Sequence, residues 1–146
     1  MLLAILAVTF LLAGIFGIGV FPASAEAEGP DCDIQSGSCT KETADGMRVE
    51  FDVQPKPVTS MSDLTFIVTV TREGSPVSDA SVALNLSMPG MFMGNNQTVL
   101  KHAENGRYEG KGVIVRCPSG RRIWRADIAI ARGGKNAAAR FVFEVK

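Results

Sequence analysis

From Met47 onward, apolar and polar residues alternate with a period of two. Val49, Phe51 and Val53 alternate with Arg48, Glu50 and Asp52, and Leu64, Phe66, Val68 and Val70 alternate mostly with threonines. Side chains of a strand point to opposite faces in turn, so such rows predict half-buried strands. Glu73-Gly74-Ser75-Pro76 reads as a turn, and Val82, Leu84, Leu86 and Met88 resume the apolar row. Short strands are predicted over Thr98 to His102 and Tyr108 to Val115, joined through the Asn105-Gly106 turn signal. After Pro118-Ser119-Gly120 the rows Trp124, Ala126, Ile128, Ile130 and Phe141, Phe143, Val145 flank a turn at Gly133-Gly134. About seven short strands without a helical stretch predict an all-β fold, an immunoglobulin-like antiparallel β-sandwich. Trp124 is then expected to anchor the core.

The N-terminal third departs from this pattern. Met1 to Phe21 carry no charge, and Pro22-Ala23-Ser24-Ala25 fits the small-residue site of a signal peptide cut after Ala25. About 20 apolar residues also suffice to span a bilayer, so a retained anchor is the competing reading. Residues 26–46 form an acidic, cysteine-containing tail without apolar periodicity, expected to be mobile except where a disulfide holds it. Residues 47–146 form the predicted domain. The working chain is thus expected to be periplasmic or otherwise exported, and membrane-anchored if residues 1–25 are retained.

Export makes a disulfide the default fate of paired cysteines. Cys32 and Cys39 enclose a short Ser/Gly/Asp-rich loop whose closure costs little chain entropy, which favours that pair. Pairing of either with the distant Cys117 is the alternative. The chain has no C-x-x-C, so a thioredoxin-like redox role is excluded.

Composition narrows the chemistry. The 146 residues hold 15 acidic and 15 basic side chains and one histidine. That balance argues against a nucleic-acid binder, and one imidazole excludes sites built on two or more. The charge is unevenly placed, with a net of −6 over residues 26–52 and +7 over residues 101–146. Arg116, Arg121, Arg122 and Arg125 crowd the turn before the Trp124 strand, a candidate surface for docking an acidic partner. No nucleophile elbow, phosphate loop or Ser/His/Asp set is present, so the chain is not expected to be an enzyme.

Met88-Pro89-Gly90-Met91-Phe92-Met93 concentrates three methionines within six residues. Pro89-Gly90 is a turn signal that brings Met88 and Met91 together. A hairpin centred on Asn95 would pair residues whose numbers sum to 190 and set Met88 opposite His102. Thioethers with one imidazole suit soft Cu(I), making Met88, Met91, Met93 and His102 candidate ligands. The competing role is packing, since methionine fills irregular gaps in a core.

Met88-Pro89-Gly90-Met91-Phe92-Met93-Gly94, then Gly106-Arg107-Tyr108-Glu109, then Gly120 before Trp124, resembles the YtkA-like and FixH family over roughly residues 47–146. The resemblance implies a small envelope-facing β-sandwich. Its members are associated with copper handling, with assembly of haem-copper oxidases, or with efflux adaptors. The Arg116-Cys117-Pro118 turn and the Cys32/Cys39 tail depart from the family pattern. The combined expectation is a non-catalytic envelope accessory protein that binds or delivers Cu(I) through the methionine loop. The alternative is a metal-free interaction module docking an envelope protein through its Arg-rich end. Contact with a membrane is expected only through residues 1–25, and contact with nucleic acid is not expected.

Overall fold

In a computed structural model, which describes residues 29–94 and 96–146, the chain is all-β. The leader or anchor expected over residues 1–25 lies outside the described residues. Nine strands follow in order: β1 (Cys39–Glu42), β2 (Met47–Gln54), β3 (Asp63–Arg72), β4 (Ser75–Pro76), β5 (Ser81–Ser87), β6 (Gln97–Glu104), β7 (Arg107–Val113), β8 (Ile123–Arg132) and β9 (Lys135–Glu144). They exceed the expected seven through β1 and the two-residue β4, both too short for a visible period.

All pairings between these strands are antiparallel, in the order β1-β2-β3-β7-β6-β5-β8-β9, with β4 on β3. Strand β6 belongs to both leaves of the sandwich. Its first half pairs β5 from Gln97 to Leu100, and its second half pairs β7 from Lys101, with an irregularity between His102 and Glu104. The fold therefore turns a corner at β6, and contact between β1 and β9 brings the far edges together into a nearly closed barrel.

The alternating rows meet inside. Val49, Phe51 and Val53 of β2 and Leu64, Phe66, Val68 and Val70 of β3 are buried in one leaf. Leu84, Leu86, Trp124, Ile128, Phe141 and Phe143 are buried in the other. The Phe51 ring centroid lies 5.4 Å from that of Phe141 and 5.7 Å from that of Phe143, both tilted. Each such large apolar side chain contributes about 1.5–3 kcal/mol by leaving water. Trp124 is 1% exposed and is the core anchor expected of it.

Residues 31–46, expected as a mobile tail, are drawn into the fold. Cys32 bridges to Phe143 in parallel fashion, and its N–H donates to the Val142 carbonyl at 3.0 Å. Ile34 is 1% exposed, although it is isolated in the sequence between polar neighbours. The Gln35 side chain donates to the carbonyls of Val58 and Glu144 and accepts from the Val58 N–H at 2.9 Å. Lys41 pairs with Asp31 and sits 5.3 Å over the Phe141 ring. Residues 31–35 lie along β9 at Val142 to Glu144. Their hold comes from buried Cys32 and Ile34, polar side-chain bonds and backbone pairing, none of which leaves a periodic trace.

The Gly106-Arg107-Tyr108 motif has a mechanical reason. Gly106 has φ 73°, and a Cβ there would lie 2.5 Å from the Val70 carbonyl oxygen, which belongs to the backbone and cannot step aside. Two residues on, the buried Tyr108 hydroxyl donates to the Val77 carbonyl at 2.8 Å and accepts from the Ala80 N–H at 3.1 Å. The motif thus fastens the β6–β7 turn to the crossing between leaves. Gly106→Ala is expected to cost more than about 2 kcal/mol through the left-handed backbone and the clash. Tyr108→Phe is expected to cost about 1–3 kcal/mol by leaving the buried Val77 carbonyl and the half-buried Ala80 N–H without the hydroxyl. Urea unfolding would show both as a lower midpoint with an unchanged slope.

Candidate functional site

One end of the sandwich collects most of the chemistry. The methionine loop follows β5, and Ser87 at the end of β5 pairs with Arg125 near the start of β8. The turn carrying Arg116 and Cys117 leads into β8 from β7, so the two loops are neighbours. Arg121 confirms this by pointing a guanidinium N–H at the Pro89 carbonyl, 3.5 Å away. The β2–β3 loop joins them, since Met61 N–H donates to the Ile114 carbonyl at 2.8 Å.

The methionine loop begins with a type II turn. Met91 N–H donates to the Met88 carbonyl at 3.1 Å across Pro89-Gly90, and Gly90 has φ 74°. Pro at the second turn position and Gly at the third are the residues this geometry favours. The three methionines then diverge in environment. Met88 completes the inward row of β5 and is 1% exposed, whereas Met91 is 39% exposed. Met93 is half-buried and packs against the core from its rim. Phe92 between them is 99% exposed.

His102 is not brought to this loop. The β5–β6 pairs, Val82 with Leu100 through Asn85 with Gln97, sum to 182 rather than the 190 expected. The hairpin therefore closes earlier, with Leu86 N–H donating to the Asn96 carbonyl at 3.2 Å. His102 stands opposite Tyr108 on β7, its ring edge-on at 5.2 Å between centroids. It lies five residues past Gln97, about 17 Å along an extended strand. The error came from centring the hairpin on Asn95, when the type II turn at Pro89-Gly90 had already reversed the chain.

The expected arginine patch divides. Arg116, Arg121 and Arg122 are exposed around the turn, and Arg122 pairs with Glu144 at 2.8 Å. Arg125 instead lies on the outer face of β8, bonded to Asp127 at 3.0 Å and to the Ser87 hydroxyl at 3.2 Å. Asp127 also takes Arg140 at 2.7 Å, so this position belongs to a face network rather than to the end.

Cys32 and Cys39 form the disulfide, and Cys117 is a free, buried thiol. Cys117 lines a cavity of about 230 Å³ with Arg116, Arg121, Arg122 and Trp124. Its Sγ lies 3.0 Å from the Ser119 hydroxyl, and Gly120 N–H closes the turn onto the Cys117 carbonyl. The Ser119 hydroxyl, helped by backbone N–H groups of Ser119 and Arg121 and by the Arg121 charge, holds the thiol below its ordinary value against the opposing effect of burial. Sequence reasoning singled out this cysteine without its setting. The signal was present in Arg116-Cys117-Pro118-Ser119, a thiol and a hydroxyl two residues apart on a proline turn amid cations. Phe92 was likewise overlooked, although glycines at 90 and 94 bracket it.

Among the described residues no three of His, Cys, Asp and Glu gather in a metal-holding group, and no helix is long and apolar enough to cross a membrane. The donors on offer at the loop end are sulfur. These features define a small all-β sandwich domain whose irregular, chemically distinctive segments are gathered at one end. The family model described as YtkA-like matches residues 41–115, slightly more than half of the chain, and the chain belongs to that family. The match begins within β1, consistent with a domain that includes this strand. No curated protein and no solved structure matches the chain.

The Cys117 setting makes a pH-dependent forecast. A lowered thiol value means that thiolate persists to lower pH than in an unperturbed cysteine, so alkylation by iodoacetamide is expected to reach half its plateau rate below the ordinary thiol midpoint. Ser119→Ala removes the largest stabilising contact and is expected to move that midpoint upward. Stopped alkylation across the neutral-to-alkaline range, read by intact mass, checks both.

Proposed function

We propose that the chain is an exported, non-catalytic accessory domain of the cell envelope that takes up Cu(I) on its methionine hairpin and passes it to a docked acceptor. The observation that carries this reading is the open position of Met91, with Met93 two residues on at the rim of the same loop. Thioethers are soft ligands suited to Cu(I), and their neutral, weak donation permits release by ligand exchange. Met88 is committed to the core and His102 to the β6–β7 ladder, so the donor set contracts to Met91 and Met93. The Cys117 thiol on the adjoining turn is a further soft donor. The lowered value of that thiol favours the thiolate, the form that binds a metal, relative to an ordinary cysteine. Membership of the YtkA-like family supports the broader assignment to envelope accessory work.

The test is a Cu(I) titration of the purified protein against a competing chelator under reducing conditions. One-to-one binding is expected, weakened by at least about tenfold in the double variant Met91→Leu/Met93→Leu. His102→Ala is expected to leave affinity unchanged. Weakening by Cys117→Ser alone would move the site to the turn, and failure of every form to compete would leave the methionines as packing.

A further inference from the structure

Large apolar side chains exposed on a folded domain are informative when they cluster. Among the described residues six are exposed, and five of them, Met61, Met91, Phe92, Val113 and Val115, occupy the same end of the sandwich. The contacts that place them there are independent of one another. Met61 bonds to Ile114, Asp63 pairs with Val113, and Arg121 reaches Pro89 at the base of the turn that carries Met91 and Phe92.

Two apolar side chains project from this end, beside the cavity at Cys117. Phe92 is 99% exposed and Met61 is 64% exposed, each on a separate loop. Gly90 and Gly94, on either side of the Met91–Met93 tip, have open space where a Cβ would stand, so nothing packs against the tip at those two positions. Set back from it are Arg116 and Arg121, which have no carboxylate partner among the described residues, and Arg122, whose pair with Glu144 is solvent-exposed.

We propose that this end docks on an anionic bilayer surface, with Phe92 and Met91 entering the acyl boundary and Arg116, Arg121 and Arg122 meeting lipid phosphates. An apolar tip with three arginines on the adjoining turn matches the interface, where apolar burial and attraction to anionic headgroups add, although Asp63 and Glu144 stand at the same end. A bilayer accepts a projecting apolar side chain of any outline, without a matching shape. A protein partner would need a complementary surface and roughly 800 Å² of contact per side. On the anchor reading of the uncharged run Met1 to Phe21, a membrane would lie only seven residues from the described domain. This contact is distinct from the one expected of residues 1–25, and it requires no metal.

The test places a reporter on the finger. The full chain carrying Phe92→Trp is reconstituted, without copper, with vesicles of phosphatidylcholine alone or mixed with phosphatidylglycerol, each with brominated acyl chains. The wild-type chain supplies the background, because Trp124 is buried in the core. The introduced indole is expected to shift to the blue and to be quenched by bromine in the anionic vesicles. Quenching is expected to fall several-fold in neutral vesicles, at high salt, or when Arg121→Glu/Arg122→Glu is added. An unchanged Trp124 signal in that variant would show that the fold is intact. An unshifted, unquenched indole overturns the proposal and assigns the finger to a protein partner. Quenching that ignores both phosphatidylglycerol and the arginine reversal overturns it as well. A chain that binds Cu(I) but leaves the indole unquenched fails here alone, and the reverse result fails only the copper reading.

Discussion

The structure depends on one facing arrangement, Phe51 of β2 against Phe141 and Phe143 of β9. These rings come from opposite leaves and close the core where the two sheet edges approach. Their burial demands that residues 49, 51 and 53 and residues 141, 143 and 145 all point inward, because slipping a strand by one residue would turn its entire row to solvent. Once those registers are set, the intervening strands have little freedom. The pairing of β2 with β3 and of β8 with β9 follows, and the segment Asp31 to Gln35 lies along the remaining edge of β9. Through the Gln35 amide that segment also fastens the β2–β3 loop. A layer of aromatic rings thus determines where a distant loop stands.

The same logic builds the working end. Strand β5 runs its inward row one residue past its own end, into Met88, and this anchors the base of the methionine hairpin in the core. Rigid support at Met88 lets the next residues project, because the type II turn sends Met91 and Phe92 outward. On the other side, the linker from β7 to β8 must cross between leaves. It does so through the proline turn at Cys117, placing three arginines and a free thiol beside the hairpin. Sulfur donors, cations and exposed apolar tips coincide there because the β5–β6 hairpin and the β7–β8 crossing end at the same rim.

The alternation of β2, β3, β5, β8 and β9 was readable because each of these strands buries one full face, leaving a period of two in the sequence. The disulfide of Cys32 with Cys39 was readable from loop length. Strands β6 and β7 were placed but left without faces, since Leu100 and Tyr108 are nearly their whole inward contribution. The room those strands lack in side chains is used by neighbours, as where Leu100 occupies the space a Cβ on Gly110 would need. Such exchange of volume between strands has no local signature. The hairpin register failed for a related reason. The sequence offered two turn signals, Pro89-Gly90 and Gly94-Asn95-Asn96, and only pairing across β5 and β6 chooses between their combinations.

What the amino-acid sequence determined alone was the all-β class, the inward rows, the favoured disulfide and the concentration of methionines and arginines in two short segments. Each of these rests on neighbours in the chain, through alternation, loop closure or composition. What only the tertiary structure decided was which of those segments meet. It separated His102 from the methionines, divided Arg125 from the other arginines, seated Met88 in the core and set Cys117 beside the exposed hairpin. Those outcomes follow from strand registers and sheet crossings between residues far apart in sequence, where the burial of whole rows outweighs any local preference.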